Sequence, residues 1–188
     1  MTRLDHTGCN FIDENVRLGT GSAVEGHHII GAASWKKGAT APGEGFIILF
    51  PTLDFADGAN DAAHYVIHVP YRRKAGANMV VHLNWAHDTV AKTGKVLWNL
   101  IYRSRGEGDN LDVGGITISV LTAGDHPQKT MIHSEFTTEI LSANLTDNDD
   151  LALIIRRNGA DLADTLTEAA RLVSVHVHFT MDKFGNDI

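Results

Sequence analysis

From residue 64 onward the chain alternates apolar and polar positions with a period of two. His64 to Tyr71 places Tyr65, Ile67, Val69 and Tyr71 on one side and His64, Val66 and His68 on the other. Met79 to His87 repeats the pattern with Met79, Val81, Leu83 and Trp85. Lys95 to Arg105 does so with Val96, Trp98, Leu100 and Tyr102, and Gly115 to Leu121 with Ile116, Ile118 and Val120. Further along, Lys129 to Ile140 sets Ile132, Phe136 and Ile140 against Met131, His133 and Glu135. Leu151 to Arg157 turns Leu153 and Ile155 inward, and Arg171 to Met181 does the same with Val173, Val175, Val177 and Phe179. Such alternation marks extended segments with one face in a core and the other in solvent or against a subunit. Gly, Asp and Asn turns at 105–110, 123–127 and 158–159 interrupt the pattern. One interruption has helical spacing: Leu162, Leu166, Ala169 and Ala170, with Asp161 or Asp164 as caps, predict a turn or two of helix before the last strand.

The segments predict an all-β fold, an antiparallel two-sheet β-sandwich of the jelly-roll type. It is expected over residues 46–188, beginning with the apolar run Phe46–Phe50 that Pro51 closes and an acidic loop through Ala62. Residues 1–45 read as an irregular N-terminal arm, rich in glycine, in which only Ile29–Ala33 has strand character. A length of 188 residues suits one domain. The formal net charge of −7 argues against nucleic-acid partners and against a polybasic membrane contact. No apolar run approaches the ~20 residues of a spanning helix, and the first residues lack an apolar signal core, so a soluble cytoplasmic product is expected. The single cysteine, Cys9, cannot form an internal disulfide and reads as an inert thiol.

Eleven histidines are the compositional outlier. His176-Val177-His178 points two imidazoles the same way from one strand, a geometry able to supply two corners of a metal site, with Asp182 following. A cupin-like metal enzyme would need further strands and another histidine after that point, so the metal reading of His176 and His178 stands only as an alternative. His64 and His68 share a face, as do His82 and Asn84. A polar face rich in His and Asn is more commonly a subunit contact than a metal site, and one whose assembly would respond to pH. Asp147 to Asp150 lacks EF-hand spacing and reads as a solvated turn. No nucleophile elbow or phosphate loop is present, so no enzyme activity and no cofactor are expected. Trp85 and Trp98 sit in apolar alternation and read as core. Trp35, followed by Lys36 and Lys37, reads as the candidate binding element, an anchor to a neighbour or a platform for a sugar ring.

Several stretches resemble jelly-roll β-sandwich virion proteins of tailed bacteriophages, the modules that decorate or cement capsids or form fibres and tail tips. They are His64–Pro70, Val80–Trp85, Val96–Leu100, the loop Arg105–Asp112, and a close made of Leu153–Gly159, Asp164–Leu166 and Ala170–Val177. The resemblance spans roughly residues 46–180. It implies a structural component of the virion, assembled in the host cytoplasm as a symmetric oligomer, most commonly a homotrimer, and docked on the major capsid protein or another virion protein. A carbohydrate- or receptor-binding role toward a host-surface glycan is the alternative that it implies. No catalytic residue comes with it.

Overall fold

The computed structural model describes residues 24–90 and 93–181; Cys9, Asp182 and the first half of the expected arm lie outside them. Eleven strands run in chain order: β1 (Val24–Gly31), β2 (Lys36–Lys37), β3 (Gly43–Ile47), β4 (Phe50–Phe55), β5 (Ala62–His68), β6 (Met79–Ala86), β7 (Lys95–Arg105), β8 (Ile116–Ala123), β9 (Ile132–Glu135), β10 (Asp150–Arg157) and β11 (Ala170–Met181). They form two antiparallel sheets, as the alternation predicts. One sheet has the order β3-β4-β11-β6-β9, with β1 also paired to β11. The other has the order β2-β5-β10-β7-β8. The fold is an all-β jelly-roll sandwich.

The inward rows meet as expected. Met79, Val81, Leu83 and Trp85 face Val96, Trp98, Leu100 and Tyr102, and all of these are buried. Phe55 and Trp98 meet edge to face at 5.2 Å, and Trp85 and Trp98 at 6.0 Å. The indole N–H of Trp85 is satisfied by Ser134 Oγ at 2.7 Å, so this ring is buried with its donor paired.

The irregular arm expected over 1–45 is replaced, from Val24 on, by sheet. β1 pairs with β11 from Val24 opposite Met181 to Gly31 opposite Ser174. β4 occupies that edge of β11 only at Ala170–Leu172, which leaves the remainder open for β1. β1 escapes a period-two reading because its inward row is Gly26, His28 and Ile30. Gly26 is required there: a Cβ would lie 2.7 Å from the ring of Phe179. The apolar run 46–50 is not a buried strand but the tip of the β3–β4 hairpin, with Ile48 and Leu49 forming the turn.

The predicted helix near 162–170 is absent. The N–H groups of Thr165 and Leu166 both go to the carbonyl of Lys95, at 2.8 and 3.0 Å. The fully buried Arg157 takes the carbonyl oxygens of Leu166 and Glu168, and it grips Asp164 bidentately at 2.7 and 3.0 Å. Asp164 in turn accepts the N–H of Leu97 at 3.0 Å. Backbone groups that a helix would need are therefore spent on β7 and on one guanidinium, and Leu162 is left 97% exposed. The Arg157 and Asp164-Thr165 elements of the sequence pattern are thus a structural clasp.

Candidate functional site

Outward-pointing residues of the six-stranded sheet gather most of the polar chemistry. Strand order, not sequence proximity, does this. Ile29, His176, His82 and Glu135 form one row across β1, β11, β6 and β9. Gly31, Ser174, Asn84 and His133 form the next, and His27, His178 and Val80 the one before. The imidazoles touch: His82 lies 4.5 Å from His133, edge on, and 4.5 Å from His178, stacked. His178 lies 5.6 Å from His27 and 6.2 Å from His176.

Asn84 holds this field in place. Its Oδ1 accepts from Nδ1 of His133 at 3.0 Å, and its Nδ2 donates to Nε2 of His176 at 3.1 Å. Ser174 Oγ adds a contact to the same Nε2 at 3.1 Å. This arrangement fixes two tautomers, because His133 carries its proton on Nδ1 and His176 presents Nε2 as acceptor. His178 engages Glu25 through Nδ1, and His82 Nε2 sits 3.7 Å from Glu135. Desolvation lowers the pKa of His82, and the charges of His133 and His178 push it the same way, against the pull of Glu135. His176 is lowered by desolvation and then by His178. Burial and the neighbouring imidazoles thus favour the neutral form of both rings.

Along the same strands the surface changes character. Past Asn84 on β6 comes Ala86, and before His133 comes Met131; on β11 a register shift between Leu172 and Ser174 turns Val173, expected inward from the alternation, toward this outer face. These three floor an apolar trough of about 530 Å³. The β3–β4 hairpin supplies its wall with Ile48, Leu49 and Phe50. Arg171 positions that hairpin, pairing with Asp88 and reaching the Phe46 carbonyl at 3.4 Å. Ile48 and Leu49 are 89% and 86% exposed, and Ile48 has φ 54°, a left-handed conformation that costs a β-branched residue energy.

The expected site residues fall differently. Trp35 is 5% exposed and packs on Tyr65 at 5.5 Å, so its indole belongs to the core and offers no platform. Lys36 and Lys37 form β2 at the edge of the five-stranded sheet, where Lys37 pairs with Glu44 at 3.0 Å. His176 and His178 do share a face, but Asn84, Ser174 and Glu25 already engage one nitrogen of each. His64 and His68 lie on the other sheet. Asp147 and Asp149 are committed to Arg73 and Ser104. Reasoning strand by strand missed the convergence of His27, His82, His133 and Glu135 with the His176/His178 pair. The parity of His82, His133 and Glu135 was readable; that of His27, and the neighbour relations of β1, β9 and β11, were not.

No protein-family model and no curated protein matches the sequence. Among solved structures, the chain is similar to the CBM36-1 domain of a multidomain xylanase from the hindgut metagenome of Trinervitermes trinervoides, at 12% identity and TM-score 0.48, over 87% of this chain and all of that one. It is similar to the xylan-binding module CBM15 at 12% identity and TM-score 0.48, over 84% of this chain and 99% of that one. The structure of infectious bursal disease virus Gx strain aligns at 12% identity and TM-score 0.44, over 88% of this chain and 34% of that one. At these identities the likeness is one of architecture.

Proposed function

We propose that the chain is a non-catalytic recognition module that binds a neutral glycan on the outer face of its six-stranded sheet. The observation that carries this reading is the passage, along β6, β9 and β11, from oriented donors and acceptors to an apolar trough walled by Phe50. A sugar chain needs both: directional partners for its hydroxyls and apolar surface for its C–H faces. The buried tryptophans leave ring contact to Phe50, which is exposed and lines the trough. With a net charge of −7, and with Glu25 and Glu135 on the face, acidic glycans are repelled.

A glycan array at neutral pH tests the proposal. Neutral oligosaccharides are expected to bind, and the pair Asn84→Ala with Phe50→Ala is expected to weaken binding at least tenfold. Binding to none, binding confined to sialylated or sulfated glycans, or indifference to the paired substitution contradicts it.

A second reading, a structural virion component assembling as a homotrimer, is favoured by the hairpin tip. Two fully projecting aliphatic residues beside Phe46 are characteristic of a surface that docks on protein. Under this reading the purified chain has the mass of a trimer in solution, and Leu49→Asp reduces it to a monomer. A wild-type monomer at all concentrations contradicts it.

A further inference from the structure

His82, His133 and Glu135 each present one ligand atom, and these atoms lie within 4.8 Å of one another. Among the described residues these are the three whose ligand atoms converge, and neither His176 nor His178 belongs to the group. Zinc takes imidazole nitrogen and carboxylate oxygen at about 2.0–2.2 Å, which sets ligand atoms of a tetrahedron roughly 3.4 Å apart. His82 Nε2 and Glu135 Oε2 are already at 3.7 Å. Glu135 and His133 are both exposed, so neither side chain is confined by core packing.

Orientation is supplied in advance. The Nδ1 of His133 bonds to Asn84 Oδ1 at 3.0 Å, so its proton is held there and Nε2 keeps the lone pair that a metal uses. His82 stacks on His178 at 4.5 Å, which restricts ring rotation before any ion arrives. The donor set is two imidazoles and a carboxylate. Hard, oxygen-seeking cations such as calcium are disfavoured by the two nitrogens, and zinc is matched by them. A fourth position faces solvent.

We propose that His82, His133 and Glu135 form a surface site for a divalent zinc-like cation, with Asn84 as the positioning residue of His133 and water in the fourth position. The site is independent of the glycan reading, because its test contains no sugar.

Tag-free full-length chain, stripped with chelator and titrated with Zn²⁺ alone at neutral pH, is expected to bind one ion per chain by calorimetry and by elemental analysis after dialysis. His133→Ala and Glu135→Gln are each expected to weaken binding tenfold or more. His82→Ala with His133→Ala is expected to abolish it, and Asn84→Ala to weaken it on the order of tenfold. His176→Ala is expected to leave it within about twofold. These side chains face outward, so unchanged thermal unfolding of the metal-free variants verifies their folds. Zn²⁺ protection of His133 in the wild-type chain from diethyl pyrocarbonate gives a readout that needs no variant. No stoichiometric zinc, binding indifferent to the His82 and His133 pair, loss on His176→Ala, or unprotected His133 overturns the proposal.

Discussion

At the scale of single residues, a fully buried ion pair and a half-buried histidine do most to define the molecule. Arg157 and Asp164 form a pair whose side chains are fully buried, tied to carbonyls of β4 and of the segment preceding β11. Removing one partner strands the other in the core. Asp164→Ala is therefore expected to destabilise the fold by about 3–5 kcal/mol in denaturant unfolding. The double change to leucine at both positions is expected to cost less than the sum of the singles, and strict additivity would show that the two side chains are not coupled. The second group is His28. Burial lowers its pKa below 6.5, and His27 adds to the shift. Its Nε2 is buried without a partner beside the Phe179 ring. As pH falls below 6.5 the unfolded chain takes up the proton first, so stability present above that pH is lost through the interval down to the folded-state pKa. His28→Leu is expected to flatten the pH dependence of the unfolding midpoint in this window, and an unchanged slope would count against it. Residue-level chemistry was partly legible beforehand. An Arg followed by Asp-Thr was visible as a pattern, yet its role as a clasp depended on carbonyls whose positions no spacing reveals.

Elements were legible where their inward rows are apolar. β5 to β8, β10 and β11 follow directly from alternation, because Val, Ile, Leu and Trp recur at every second position there. β1 was hidden by its inward Gly26 and His28, and β2 by being two residues long. The helix expected near 162–170 failed because tertiary hydrogen bonds claimed its backbone. The β3–β4 hairpin is the element in which local rules are broken without structural gain. An isoleucine at φ 54° in a two-residue turn, fully exposed, gains nothing from burial. Ile48→Gly is expected to raise stability by about 1 kcal/mol through relief of that strain. The same change is expected to weaken whatever the trough binds. A substitution that destabilises the chain would show that the tip packs on something within the molecule.

On the scale of the whole molecule, the sandwich has two unlike outer faces. The five-stranded sheet shows Val66, Arg103 and Ile154 around a smaller apolar hollow of about 360 Å³, and carries His64 and His68 on β5. The six-stranded sheet concentrates interacting imidazoles, an asparagine that orders two of them, and the trough beneath the hairpin. That face is the one we propose for recognition. Amide hydrogen exchange with and without the tightest-binding neutral glycan tests the assignment most directly. Slowed exchange in β6, β9, β11 and the β3–β4 hairpin, with β5, β7, β8 and β10 unchanged, is the expected result. Protection confined to the five-stranded sheet, or no neutral glycan that slows exchange anywhere, would contradict it.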